Sequence, residues 1–155
     1  MSLFPESSEL PSGRAVLLSI LPRYADLILA GTKRVELRRS WPSNDIGVMV
    51  LYSSSPVRRL VGVAYVDRVN ETDVAGLWRL ACDYGGGLTH EEFVEYFEGK
   101  KTAFGIMIKS TRTAQCAIDP KDLFPDFAPP QSFQYLTPAD FQRVMRAILP
   151  ERLLA

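Results

Sequence analysis

The stretch that decides the fold is AVLLSILPRYADLILAGTKRVELRR, residues 15–39. Its first six residues are apolar except for one serine, which predicts a buried strand. Pro22 then suits the first turn of a helix, and Gly31 suits its end. After the glycine, Val35 and Leu37 alternate with charged residues, which is typical of a strand with one apolar and one charged face. The stretch therefore predicts strand, helix, strand.

The rest of the chain adds strands and helices without regular β–α–β alternation. Further strands are predicted at 48–52, 60–69, 103–108 and 112–118, the last two pairing with each other. Helices are predicted to start after Thr72, Thr89 and Thr137. This order indicates an α+β domain, a small mixed β-barrel of about five to six strands with peripheral helices.

A chain of 155 residues fits one ordinary domain. We expect a flexible polar lead at 1–14, the domain at 15–136, and a C-terminal helix at 137–155 packed on it. Cys82 and Cys116 form no CxxC pair, so we expect buried thiols, neither a disulfide nor a metal site, and a reducing compartment. No apolar run reaches the ~20 residues of a membrane span. These features predict a cytoplasmic protein with no membrane partner.

The charges are distributed unevenly along the chain. The net charge is zero, but four basic residues lie within seven positions: Lys33, Arg34, Arg38 and Arg39. A local basic patch can concentrate an anion where the overall charge would not. A nucleic-acid or nucleotide ligand is therefore compatible with the sequence.

Lys33, Glu36 and Arg38 are the first candidate site residues. A carboxylate flanked by cations can orient them or accept a proton, and the planar guanidinium of Arg38 suits a phosphate or a base edge. The alternative is a solvated strand face with ion pairs between its side chains. The sequence leaves both interpretations open.

A family resemblance adds to the functional interpretation of these three residues. The string LLSILPRYADLILAGTKRVELRR at 17–39 contains the order strand, helix, G-x-K-x-x-E-x-R, and resembles the signature of the ASCH domain family in the PUA-like superfamily. The strings VLYSSSPVRRLVGVAYVDRV at 50–69 and AFGIMI at 103–108 are similar to the family's next strands. APPQSFQYL at 128–136 is similar to a segment of members that can also carry a helix-turn-helix domain.

The resemblance implies a PUA-like barrel with a cleft lined by Lys33, Glu36 and Arg38. It places the strand end with Tyr52, Ser53 and Ser54 near that cleft. The chain departs from the family at Leu21, where a basic residue is common. It also has Glu36 where acetylcytidine amidohydrolases of this type use a threonine.

The segment Gln131–Tyr135 is a second candidate for ligand contact. Gln131 and Ser132 offer donors and acceptors to a base, and Phe133 and Tyr135 offer rings for stacking. The alternative is that the two aromatics plug the edge of the barrel. Arg39 is expected to contact phosphate.

These features predict an RNA- or nucleotide-binding domain with a regulatory role in translation or transcription. The alternative is a small metal-independent hydrolase, a ribonuclease or acylcytidine amidohydrolase, that uses Lys33 and Glu36 in catalysis. The expected ligand is RNA, a nucleotide or a modified nucleoside, with no cofactor and no metal. A homodimer or a helix-turn-helix partner protein is a further prediction, based on the apolar C-terminal residues.

Overall fold

The computed structural model describes residues 13–42 and 45–149. Six strands form one mixed sheet in the order β2–β5–β4–β3–β1–β6. The strands are β1 (Arg14–Ile20), β2 (Val35–Arg38), β3 (Ile46–Ser53), β4 (Arg59–Asp73), β5 (Thr102–Ile118) and β6 (Phe133–Leu136). The described helices are α1 (Pro22–Leu29), α2 (Val74–Tyr84), α3 (His90–Tyr96) and α4 (Pro138–Ile148). The α+β class is confirmed.

The pairing of β1 with β3 positions the site. The two strands run parallel, with Ser19 opposite Tyr52 and Ile20 opposite Ser53. The carboxyl ends of parallel strands lie at the same edge of a sheet, so the residues that end these two strands are neighbours. β1 leads directly into α1, with Pro22 in the first turn of the helix as predicted.

Alternation along the strands gives the sheet two apolar faces. One face packs against α4, and the other packs against α1. A smaller cluster lies beneath α2 and α3, where Phe93 and Leu77 are fully buried. Each such side chain stabilises the fold by about 1.5–3 kcal/mol relative to exposure. This third cluster fixes α2 and α3 beside β2.

The prediction of two paired strands at 103–108 and 112–118 is wrong. β5 is continuous through both segments, and both pair with β4: Ile106 lies opposite Val69, and Thr113 lies opposite Gly62. A tight turn would need Gly, Pro, Asn or Asp, and residues 109–111 contain none of them. The β4–β5 register shifts at three places along this long pair, where the strand ladder is locally irregular.

Other local predictions differ from the structure by smaller amounts. α2 is capped by Asp73, whose carboxylate accepts a hydrogen bond from the amide of Gly76, and not by Thr72. Cys82 and Cys116 are exposed and not buried; Cys82 lies on α2, where the buried residues are Leu77 and Ala81, and Cys116 lies in the polar outer half of β5. α3 starts after Thr89 as predicted, and Thr89 and Glu92 form a capping box there.

The six-stranded sheet agrees with the predicted number of strands, but a closed barrel is not confirmed. No ladder between β2 and β6, the two edges, is present in the described residues. The predicted lead at 1–14 and the end of the predicted C-terminal helix lie largely outside those residues. None of the helices at 13–42 and 45–149 is long and apolar enough to cross a membrane.

Candidate functional site

Lys33 lies in the turn between α1 and β2, with its side chain directed inward. The chain reverses at Gly31, which has a φ of 82°, and the amide of Lys33 donates to the carbonyl of Leu27. Only 2% of Lys33 is exposed. Its Nζ donates to the carbonyl of Gly86 and lies 3.4 Å from Glu36 Oε1.

Glu36 connects Lys33 to Arg38. Its Oε2 accepts from both Nε and Nη2 of Arg38 at 2.9 Å, while Oε1 faces the lysine. The Arg38 guanidinium also donates to Ser132 Oγ at 3.0 Å and to the Ser19 carbonyl at 3.3 Å. We refer to Lys33, Glu36 and Arg38 as the buried ion chain. Two of its three members are less than a tenth exposed, so the interpretation as a solvated strand face does not hold.

Burial changes the acidity of the lysine. Desolvation lowers the pKa of Lys33 below its ordinary value; nearby Glu36 opposes the shift and nearby Arg38 adds to it. Burial therefore favours the neutral amine at a pH where an exposed lysine is charged. A neutral amine can accept a proton or act as a nucleophile.

The glycine-rich loop after α2 makes the contact with Lys33 possible. Gly85 caps α2 with a φ of 70°, and a Cβ there would lie 2.1 Å from the carbonyl oxygen of Thr32. Only glycine allows this approach and this backbone conformation. The Tyr84 carbonyl accepts from the Arg34 amide at 2.8 Å and fixes the loop to the start of β2. The Gly86 carbonyl is thereby held against the lysine.

The buried ion chain lines a cavity of about 280 Å³, which we call the lysine pocket. α1 and α3 both contribute residues to its walls, and Arg23 of α1 joins Glu92 of α3 through a 2.9 Å ion pair. The Thr89 amide and then Arg23 hold the pKa of Glu92 below its ordinary value. The lining residues are Ser19, Ile20, Leu21, Tyr24, Lys33, Glu36, Leu37, Arg38, Gly86, Leu88, Glu92 and Tyr96.

The strand end predicted to lie near the cleft opens mainly into a second cavity. Tyr52 and Ser54 line it, whereas Ser53 is buried. We call this cavity, of about 580 Å³, the arginine basin. Its lining consists of Tyr52, Ser54, Ser55, Arg58, Arg59, Asp119, Pro120, Lys121, Phe127 and Pro129.

Arg39 does not join the buried ion chain. Its exposed guanidinium donates to the Tyr96 carbonyl at 2.7 Å and to the Glu98 carbonyl at 3.2 Å. These carbonyls end α3, where a cation is favourable. Arg39 thus fastens α3 beside β2, which is a structural role that the sequence did not suggest.

The segment from Gln131 to Tyr135 divides between the site and the sheet edge. Gln131 is exposed, and Ser132 reaches the site through Arg38. Phe133 and Tyr135 belong to β6, a strand that sequence reasoning missed. The Phe133 ring packs 6.1 Å from Trp41, so this aromatic fits the alternative in which it fills the edge.

Sequence reasoning missed the walls of the lysine pocket. Tyr24 was not among the predicted site residues, although its ring centroid lies 5.1 Å from Lys33 Nζ. Glu92 and Tyr96, which also line the pocket, were not among the predicted site residues either. The run Gly85–Gly87 was the available signal for a close backbone approach. Among the described residues, no three His, Cys, Asp or Glu side chains cluster as metal ligands.

Comparison with known proteins supports the family. The ASCH domain model matches residues 18–101, more than half of the chain. The chain is 27% identical over 143 residues to a Zymomonas mobilis protein named "ASCH domain-containing ribonuclease", covering 89% of this chain and 95% of the relative.

The structural comparison agrees with the sequence match. The crystal structure of ASCH from Zymomonas mobilis superposes with a TM-score of 0.78 and 26% identity, covering 85% of this chain and 94% of that one. A serine-to-alanine variant of the same protein gives a TM-score of 0.74, with 88% and 97% covered. With the lysine, glutamate and arginine of its motif gathered in one pocket, this chain belongs to the ASCH domain family of the PUA-like superfamily.

Proposed function

We propose that this chain binds single-stranded RNA across the arginine basin and the lysine pocket. The observation that carries the proposal is the position of the two cavities. Ser19 lines the pocket, and its register partner Tyr52 lines the basin, so the cavities open at neighbouring strand ends. The ribonuclease name of the Zymomonas mobilis relative, of which 95% is matched, supports the choice of RNA.

The basin supplies the attraction for the phosphate backbone. It is lined by three cations, Arg58, Arg59 and Lys121, and one carboxylate, Asp119, which lies 3.8 Å from Arg59. Exposed cations of this kind bind phosphates and release counterions. Hydroxyl groups of Ser54 and Ser55 add hydrogen-bonding partners in the same cavity.

The pocket receives one nucleotide of the strand. Tyr24 and Tyr96 line it, and so does Leu21, which is 54% exposed. Aromatic and apolar surfaces of this kind stack on unpaired bases. Arg38, oriented by Ser132, faces the same cavity, and the exposed Gln131 lies one residue away in sequence. Phe133 and Tyr135 act in this proposal through packing.

The test is fluorescence anisotropy with a short labelled single-stranded RNA at several salt concentrations. We expect the logarithm of affinity to fall with the logarithm of salt by about 0.7 for each phosphate contacted. A Lys109→Gln variant, which removes an exposed cation of β5 away from both cavities, serves as the matched control and should bind like the wild type. Absence of binding, or binding indifferent to salt, would refute the proposal.

Cleavage is a second candidate function, and the 3.4 Å contact between Lys33 and Glu36 inside the pocket favours it. In RNA cleavage the 2′-hydroxyl loses its proton, its oxygen attacks phosphorus, and the 5′-oxygen leaves with a proton. Glu36 would accept the first proton and return it to the departing 5′-oxygen, and Lys33 would donate a hydrogen bond to the reacting phosphate and stabilise its negative charge. An acylcytidine would use the same groups, with Lys33 facing the acyl oxygen.

The cleavage assay uses labelled RNA and acylcytidine, each with EDTA and with magnesium. We expect wild type to act on one of them and Lys33→Met to lose that activity. Activity that survives in EDTA would support the predicted metal independence. A Lys33→Met protein as active as wild type would remove Lys33 from the catalytic role.

A regulatory role, a homodimer and a helix-turn-helix partner remain proposals. Leu153 and Leu154, on which the prediction of partner docking depends, lie outside the described residues. Light scattering coupled to size exclusion would measure the mass of the purified chain. A mass of one 17.4 kDa chain would contradict the homodimer. The cytoplasmic location likewise stays a prediction.

A further inference from the structure

Lys33 differs from the other lysines of the chain in its surroundings. The sequence contains five lysines, and Lys33 alone among them is buried; the others are exposed or half-buried: Lys100, Lys101, Lys109 and Lys121. The Lys33 amine nevertheless lines an open cavity, so a small ligand can reach it. The four other lysines form an internal reference for its reactivity.

The groups around the amine are those that a carbonyl condensation needs. Glu36 Oε1 at 3.4 Å can take the ammonium proton and leave a free electron pair on nitrogen. The Gly86 carbonyl accepts a hydrogen bond from Nζ and orients it, and the centroid of the Tyr24 ring lies 5.1 Å from Nζ. Desolvation also lowers the pKa of Lys33, which favours the neutral, nucleophilic amine.

We propose that Lys33 forms an imine with a phosphate-bearing aldehyde in the lysine pocket. The neutral amine nitrogen adds to the carbonyl carbon, one of the two remaining nitrogen protons moves to the carbonyl oxygen to give a carbinolamine, and loss of one water leaves a protonated carbon–nitrogen double bond. The proton removed from Lys33 passes to Glu36 and then to the departing hydroxyl. No oxidant or reductant takes part.

Arg38 explains why the aldehyde carries a phosphate. Its guanidinium lines the same cavity, and once the protonated imine carries a positive charge on the Lys33 nitrogen, Glu36 balances only one of the two cationic groups. An anionic group beside the carbonyl would balance the remaining charge. Two sources share this chemistry: a free aldehyde phosphate and the open-ring sugar of an RNA strand that has lost a base. The second source rests on the proposed function.

The test treats the purified chain with glycolaldehyde phosphate, or with a short RNA that contains one abasic site, in the presence of cyanoborohydride. This reductant converts an imine into a stable amine, which peptide mass spectrometry locates. We expect most of the label on Lys33 at neutral pH, and more with glycolaldehyde phosphate than with glycolaldehyde. Lys33→Arg should carry no label in the pocket, whereas Lys109→Arg should label like wild type.

Two further readings separate the outcomes. Circular dichroism checks that Lys33→Arg is folded, and Lys33→Met provides a second variant if it is not. Label spread over the exposed lysines, with no excess on Lys33, overturns the inference. RNA binding in anisotropy without a Lys33 adduct also overturns it and leaves the proposed function standing, whereas a Lys33 adduct without RNA binding supports the inference and refutes that function.

Discussion

The lysine pocket and the arginine basin open beside the same strand ends but hold their charges differently. In the pocket, Lys33 and Arg38 share one carboxylate and are largely removed from water. In the basin, Arg58 is exposed, and Arg59, which pairs with Asp119 at 3.8 Å and donates to the Arg58 carbonyl at 2.9 Å, is open to solvent. Buried charges cost desolvation energy and become fixed, whereas exposed charges are mobile and screened by salt. The fixed charges of the pocket therefore suit a reaction at a defined position, and the mobile charges of the basin suit the proposed attraction of an RNA strand.

The largest expected effect comes from removing the carboxylate of the pocket. Glu36→Gln would leave two cations close together without an anion, and should lower the free energy of unfolding by about 3–5 kcal/mol. Urea unfolding measures it. Glu71→Gln, on an exposed position of β4, is the control and should change stability by less than about 0.5 kcal/mol. A loss no larger than that of the control would mean that the ion chain is not a structural unit.

The basin should respond in binding and not in stability. Arg58 has a φ of 55°, which glycine adopts without strain, so Arg58→Gly removes a cation without harming the backbone. If Arg58 contacts one phosphate, the salt dependence of RNA binding should weaken by about 0.7 in slope. Titration by anisotropy measures it. A slope equal to that of wild type would place the RNA elsewhere.

A third prediction concerns the pH dependence of stability. Because the folded-state pKa of Lys33 is lowered, the unfolded chain holds the lysine proton more tightly between that pKa and the ordinary value of 10.5. The free energy of unfolding of wild type, relative to Lys33→Met, should therefore rise as pH increases through this window. Urea unfolding of both proteins from neutral to alkaline pH measures the difference. A constant difference would contradict the effect of burial.

The smallest effect is expected at the rim of the pocket. The ion pair of Arg23 with Glu92 is solvent-exposed, so Arg23→Gln should leave the thermal unfolding midpoint almost unchanged. The change should be smallest at high salt, because salt screens exposed charges. Thr89→Ala, which removes a capping hydrogen bond of α3, is the comparison and should lower the midpoint more. A larger shift for Arg23→Gln than for Thr89→Ala would show that this exposed ion pair stabilises the fold, as the buried ion chain is expected to do.

Local sequence signals predicted the elements that carry the buried ion chain, but not the other residues that line the lysine pocket. β1, α1 and β2 follow from apolar spacing and from Pro22, and the alternation in β2 puts Glu36 and Arg38 on the same face. The Gly86 carbonyl lies 53 positions from Lys33 in sequence, and no periodicity reports such a contact. The roles of Tyr24 and Glu92 likewise depend on how α1 and α3 face each other.

The edges of the sheet were hardest to predict for the same reason. β6 is only four residues long and pairs antiparallel with β1, more than a hundred positions away. Its aromatic residues therefore suggested ligand contacts as readily as packing. The continuity of β5 was missed because its outer half is polar, and only its pairing with β4 reveals it as strand.

Arg38 joins parts of the molecule that the backbone leaves apart. It extends from β2, one edge of the sheet, to Ser132, the residue that precedes β6 at the other edge. A ligand anion that draws this guanidinium into the lysine pocket would weaken the hydrogen bond to Ser132, which connects the two edges of the sheet. Ligand binding in the lysine pocket would then change the hydrogen exchange of backbone amides along β6. Redesign of the lysine pocket for another ligand has to keep the hydrogen bond between Arg38 and Ser132 or replace it with another contact between the two edges.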